Sequence, residues 1–203
     1  MLRWAPTRCW EGEDCYIVGG GPSLQAFEWD RIEGRNVIGC NSAFCLGAHV
    51  VQICIFADKQ WWEDIGRKQL PSYGGIVVGS ADWMEDVAID IPDWVWYIPR
   101  EGRKNGLSHT GLGFNNNCGS LAINLALRLG ARRVFLLGFD MKMQGPRANW
   151  HDLRYEPPNP THYPFFLDRM KTVARDLPIM FPGQDVINVT DDSDLDVFPK
   201  VSL

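Results

Sequence analysis

The stretch Cys15-Tyr-Ile-Val-Gly-Gly-Gly-Pro-Ser-Leu24 constrains the fold of this chain more than any other. Cys15 to Val18 form an apolar run of strand length, bounded by turn residues and far too short to span a membrane. Gly19, Gly20 and Gly21 follow at once, which predicts a backbone that leaves the strand through conformations residues with a Cβ avoid. Pro22 then suits the first turn of a helix, where its missing N–H costs nothing and its φ is already helical. A strand, a glycine turn and a helix start together leave unpaired N–H groups converging on one point. Such a point suits an anion, most commonly phosphate. The competing reading is a tight strand-to-helix turn without a ligand. The spacing matches neither Gly-x-Gly-x-x-Gly nor a P-loop, so its meaning depends on what lies downstream.

Downstream, the same grammar recurs. Short apolar runs at 37–41, 51–58, 75–79, 95–98, 134–140 and 186–190 read as strands, the run 51–58 being apolar almost throughout, as a strand covered on both faces requires. Between them, residues 22–29, 60–69, 121–129 and 163–176 read as helices. Gly130 is placed to stop the third, and Phe166, Met170 and Val173 share one stripe of the fourth. The pattern predicts one α/β Rossmann-like domain over residues 1–203, with a mainly parallel sheet and helices on both faces. Residues 1–14 read as a leader and 191–203 as a tail, both packing on that domain. In such folds ligands sit at the carboxyl ends of the strands, and four of these strands end in Gly19, Asn41, Asp58 and Asp140. Two long stretches without periodicity, 100–118 and 141–161, are candidates for functional loops.

The 203 residues carry a net charge of −5, and no basic stripe stands out, which argues against duplex nucleic acid as a partner. No apolar run approaches a membrane span and residues 1–14 lack a signal-peptide core, so the expected setting is the cytoplasm. The six cysteines are scattered without a Cys-x-x-Cys pair, consistent with reduced thiols. Most of the nine tryptophans are expected in the core, with some available to line a pocket.

Gly20-Gly-Pro-Ser-Leu24, Gly39-Cys-Asn41, Asn117-Cys-Gly119 before a helix and Leu137-Gly-Phe-Asp140 occur in an order and spacing that resembles a superfamily of Rossmann-like enzymes. It contains single-domain bacterial sialyltransferases, motility-accessory glycosyltransferases and archaeal hydroxymethylpterin diphosphokinases. The chain looks closest to a branch of small, often phage-encoded proteins that share the Leu-Gly-x-Asp-Met strand, a Trp-His loop and an Asn-x-Thr…Phe-Pro tail. The resemblance implies that Gly19, Gly20, Gly21, Pro22, Ser23 and Asn41 hold nucleotide phosphate and ribose, and that the turn Asn117, Cys118, Gly119 adds backbone N–H groups, with Asp140 alongside. Where the family has Gly-Asn-Gly, this chain has Gly19-Gly-Gly21, so one amide contact is absent.

Sialyl transfer of the family type needs a base for the acceptor hydroxyl, supplied by a late histidine. His151, flanked by Trp150 and Asp152, ranks ahead of His162, which reads equally as an ordinary loop histidine. His109 is placed to reach a phosphate, and His49 reads as structural. Asp58 and Asp140 are either ligands of a Mg²⁺ bridging nucleotide phosphates or caps of neighbouring backbone. Arg100, Arg103 and Lys104 form either a lid over phosphates or a solvated face. The resulting expectation is a transferase using a nucleotide or nucleotide-activated sugar as donor, with an unidentified acceptor. The alternatives are a pyrophosphokinase using ATP with Mg²⁺ and a non-catalytic phage accessory protein. Related sialyltransferases form homo-oligomers, a point on which this sequence is silent.

Overall fold

The computed structural model describes residues 2–101, 106–113, 115–153 and 159–203. Its strands are β1 (Leu2–Arg3), β2 (Asp14–Val18), β3 (Asn36–Cys40), β4 (Ile53–Phe56), β5 (Ile76–Gly79), β6 (Val95–Tyr97), β7 (Arg133–Leu137) and β8 (Asp185–Asn188). They form one sheet in the order β1-β6-β5-β4-β3-β2-β7-β8, and every neighbouring pair is parallel. From β2 the chain steps outward to β6, then crosses back to lay β7 against the other side of β2. The order therefore reverses between β2 and β7, which is where open α/β sheets place their ligands.

Alternation along the strands gives the sheet two apolar faces. Ile53 and Ile55 join the core that holds α3 (Cys118–Leu129) and the buried stripe of α4 (Tyr163–Met180), whereas Cys54 and Phe56 point into the other core. That second core is closed by α1 (Lys59–Trp61), a π turn Trp62–Gly66, and α2 (Arg67–Gln69), with Trp61 and Trp62 fully buried. Each such buried side chain contributes about 1.5–3 kcal/mol, so the tryptophans serve packing first.

Two polar devices fix α3. Gly130, at φ 96°, ends it in the left-handed conformation that glycine adopts without penalty. Buried Asn124 accepts from Ser108 N and Gly113 N, both at 2.9 Å, and donates to Ser108 O at 2.9 Å. This one amide orders the loop 106–113, which the sequence leaves without any periodic signal.

Several elements differ from expectation for identifiable reasons. Leu2–Arg3, expected within an irregular leader, pairs with β6 and becomes an edge strand. The expected helix 22–29 is a 3₁₀ turn, Pro22–Ala26, followed by another at Trp29–Arg31. α4 runs past residue 176 to Met180 because Pro178 falls in its last turn, where one lost bond is tolerated. The tail is no loose end: Asn188 Nδ2 donates to Ser193 Oγ and Leu195 O, both at 3.0 Å, so the Asn-x-Thr segment folds the tail back onto the sheet. Among the described residues no helix is long and apolar enough to cross a membrane.

Candidate functional site

A cavity of about 500 Å³ opens at the carboxyl ends of the strands, above the reversal in strand order. Gly19, Gly20, Gly21, Asn41, Asp58, Asn117, Cys118, Gly119, Asp140, His151 and His162 all line it. Residues spread over the whole chain thus converge on one wall system. Pro22 and Ser23 are not among the lining residues.

The glycine turn works by space, not by unusual dihedrals. Gly21 has φ −61°, and neither Gly19 nor Gly20 has positive φ, which corrects the expectation of a left-handed exit from the strand. A Cβ on Gly19 would stand 2.7 Å from Gly138 O, one on Gly20 2.6 Å from Asn149 Nδ2, and one on Gly21 would overlap the Asp140 carboxylate. The expected free N–H groups are also engaged. Gly19 N donates to Leu137 O and Gly21 N to Gly138 O, both at 2.8 Å, zipping β2 to β7 beyond the strand ends. Ser23 donates its N–H to Asp140 Oδ1 at 2.9 Å and its hydroxyl to Oδ2 at 2.8 Å. The anion that caps this helical turn is therefore the protein's own carboxylate. The start of α3 is capped in the same way: Asn117 Oδ1 accepts from Gly119 N at 2.8 Å and Ser120 N at 3.3 Å. Both helix starts spend these donors on the protein's own side chains rather than leaving open phosphate cradles.

The strand-end acids are correspondingly committed. Asp140 is 1% exposed, and burial raises its pKa despite the opposing pull of the two Ser23 bonds. Asp58 Oδ1 caps α1 by accepting from Trp61 N at 2.9 Å. Three of the four carboxylate oxygens are thus used as caps, and the described residues contain no cluster of three metal-ligating side chains. These acids do not fit a preassembled Mg²⁺ site.

The two ranked histidines both reach the cavity, by different means. Trp150 donates its N–H to Gly20 O at 3.0 Å and its ring Nε1–H to Gly19 O at 2.9 Å. Its ring packs on Trp29 at 5.1 Å and stands edge-on to His151 at 5.0 Å. Further along, Leu153 O accepts from Ser42 Oγ, which accepts in turn from buried Trp61 Nε1 at 2.9 Å. The loop carrying His151 is therefore pinned at both ends, to the glycine turn and to the segment after β3. His162 is exposed at the start of α4, hydrogen-bonded at Nε2 to Asn159 Nδ2 at 3.1 Å and edge-on to Phe166. His109, expected near phosphate, instead packs on Phe181 at 4.7 Å outside the cavity lining. His49 is likewise outside it.

Three lining residues hold left-handed backbone without being glycine: Asn41 at φ 49°, Asn116 at 48° and Met141 at 54°. Among the described residues they are the only non-glycine ones with positive φ, and all three border one cavity. Strain of this kind gathers at functional sites. Asn41 adds a second oddity, since its Oδ1 is buried and has no hydrogen-bond partner. Arg100 also reaches the wall, half-buried, with Nε donating to Ser80 O at 2.8 Å. Burial lowers its pKa. Arg103 and Lys104 lie outside the described residues. Sequence reasoning missed Asn149, which packs against Gly20, and Phe166 and Asn159 at the rim. Asn149 carries no local signal, while the helical stripe of α4 pointed Phe166 toward the core rather than the rim.

No family model matches the chain, and no curated protein matches it in sequence. Its fold is similar to that of the MAf glycosyltransferase from Magnetospirillum magneticum AMB-1, with a TM-score of 0.63 at 15% identity. The similarity covers 99% of this chain and 35% of that one, so the chain spans about a third of its neighbour's length. At this identity the likeness is one of fold: a single eight-stranded parallel α/β sheet of the Rossmann-like kind.

Proposed function

We propose that the cavity binds a nucleotide-activated sugar and that the protein is a glycosyltransferase. The observation that carries this reading is the buried, unpartnered Oδ1 of Asn41, held on a strained residue in the cavity wall. A buried acceptor without a donor costs about 1–3 kcal/mol, which a ligand N–H or O–H offsets. A ribose hydroxyl or a base amino group supplies such a donor. Gly19, Gly20 and Gly21 present backbone without side chains to the cavity. Arg100 provides a fixed positive charge for the donor phosphate, and the two strand-end acids in the same wall are engaged as caps.

In this reading His151 takes the proton of the acceptor hydroxyl as its oxygen attacks the anomeric carbon. The bond from that carbon to the phosphate oxygen breaks, and the nucleotide leaves with the electron pair toward Arg100. His162, at the exposed rim with Phe166, contacts the acceptor. The fold shared with a MAf glycosyltransferase supports the transferase class, and the base, sugar and acceptor are left to experiment. The pyrophosphokinase alternative needs carboxylates for a phosphate-bridging Mg²⁺, and Asp140 commits both its oxygens and Asp58 one of its two to capping, so nothing here favours it.

Thermal-shift measurement against CMP, UDP, GDP, ADP, ATP and their sugar conjugates tests the proposal. One nucleotide class should raise the melting temperature, and Asn41→Ala should abolish that rise while leaving the unliganded protein folded. A protein indifferent to every nucleotide sinks the reading.

A further inference from the structure

The cavity wall contains a feature that nucleotide binding does not use. Cys40 ends β3 and Cys118 begins α3, and both line the cavity. Cys40 belongs to the core cluster on the α3 face of the sheet, and Cys118 packs against that same cluster. Cys40 is the register partner of Ile55 on β4, and Cys118 Sγ donates to Ile55 O at 3.1 Å, so both cysteines adjoin one residue. The Cys118 thiol, together with burial, raises the Cys40 pKa, so the two groups interact. Cys54, the nearby third cysteine, points into the opposite core and donates to Asn41 O at 3.4 Å. The sheet thus separates it from the pair. Cys15 is on the α3 face but at the start of β2, among fully buried residues and away from the lining.

We infer that Cys40 and Cys118 form a dithiol site in the cavity wall that undergoes disulfide exchange with a small disulfide. Cys118 is the attacking sulfur: it is the more exposed of the two and opens the 12-residue helix α3 beside the cavity. It attacks one sulfur of the reagent and expels the other as a thiolate. Cys40 then gives up its proton to solvent and attacks the sulfur of Cys118, releasing the second half of the reagent. Two protein thiols become one disulfide, and one reagent disulfide becomes two thiols. The neighbouring Cys118 thiol, together with burial, raises the Cys40 pKa well above the ordinary thiol range. It therefore resolves the mixed disulfide and does not start the reaction. The other four cysteines lack this arrangement: Cys9 and Cys45 are exposed singly, and Cys15 and Cys54 are buried.

The location gives the site its consequence. Cys40 precedes Asn41 and Cys118 follows Asn117, so the disulfide would join the two asparagine-bearing segments of the wall. The inference does not require the nucleotide reading.

The test uses the full chain carrying Cys9→Ser and Cys45→Ser, which removes both exposed thiols. Treatment with oxidised dithiothreitol or 2,2′-dipyridyl disulfide should lower the intact mass by two hydrogens and yield a Cys40–Cys118 linked peptide on mapping. Phenylarsine oxide, which condenses with two adjacent thiols and releases one water, should add one arsenical bridging the same residues without any redox step. Cys118→Ser should abolish both products and leave Cys40 unmodified. A Cys54–Cys118 link, a stable mixed disulfide on Cys118 with Cys40 free, or no reaction with either reagent overturns the inference.

Discussion

Ser23 and Asp140, 117 positions apart, are joined by two hydrogen bonds to one carboxylate, at 2.9 Å from the backbone N–H and 2.8 Å from the hydroxyl. This clasp spans the reversal between β2 and β7, so it fixes the separation of the two strand ends that bound the cavity. Asp140→Ala should destabilise the protein by about 2–4 kcal/mol, since it strands two donors that met a buried charge. Urea denaturation of the parent and variant measures it. A loss below about 0.5 kcal/mol would mean that the clasp is incidental.

The same carboxylate sets a pH signature. Burial raises the Asp140 pKa, so the folded chain holds that proton more tightly than the unfolded chain. Stability from this group is therefore greatest at low pH and declines as pH climbs from about 4 through the raised value. Asp140→Asn removes the titration and keeps an acceptor for the Ser23 N–H. The stability difference should shift in favour of the Asn variant as pH rises through that window, then level off. Parallel unfolding curves from acid to neutral pH check the slope, and a difference independent of pH would contradict it.

Gly21→Ala is expected to behave unlike a mere loss of flexibility. Its backbone suits any residue, but the added methyl would overlap Asp140 Oδ2 and approach Gly138 O at 2.5 Å. We expect a loss of at least about 1–3 kcal/mol from overpacking. Because Asp140 is one partner in the clash, Gly21→Ala and Asp140→Ala should be non-additive, the double variant losing less than the sum of the singles. A double-mutant cycle reads this directly, and strict additivity would locate the strain elsewhere.

What the sequence revealed, and what it hid, divides along the range of the interactions. Strands after the first were legible because their apolar runs and polar ends are local, and the strand ends placed Asn41, Asp58 and Asp140 in one cavity through topology alone. Leu2–Arg3 was not legible: two residues carry no period, and only β6 makes them a strand. The occupied N–H groups of the glycine turn were hidden because their acceptors, Gly138 O and the Asp140 carboxylate, lie more than a hundred residues away. The capping of α3 by Asn117 was within reach, since asparagine at a helix start caps it by a purely local bond.

Trp150 couples the glycine turn to the ranked base. Trp150→Phe removes the Nε1–H bond to Gly19 O and should cost about 1 kcal/mol. If His151 is the base, His151→Ala should lower turnover by about 10²-fold or more with nucleotide affinity retained. Trp150→Phe should lower turnover less, through a loosened loop. His162→Ala should raise the acceptor KM instead. Steady-state kinetics with the nucleotide sugar identified by thermal shift separates the three, and unchanged turnover for His151→Ala would remove it from the mechanism.

The tail acts as a strut for the far wall of the cavity. Ser193 Oγ donates to Phe139 O at 2.6 Å and accepts from Asn188 Nδ2 and Leu195 N, both at 3.0 Å. Thr190 Oγ1 accepts from Phe139 N at 3.1 Å, and Asp194 N donates to Asp140 O at 2.9 Å. The backbone around Phe139 and Asp140 is thus held from behind by residues outside the cavity lining. Ser193→Ala would leave a carbonyl and two donors unmatched in a buried setting, at a cost of about 2–4 kcal/mol. Ser193→Cys, which keeps a weaker donor and acceptor, should cost less. The readout specific to a strut is hydrogen exchange: the amides of Phe139 and Ser23 should exchange faster in Ser193→Ala, while those of β4 stay protected. Equal protection at Phe139 in parent and variant would show that the β7 end holds itself in place.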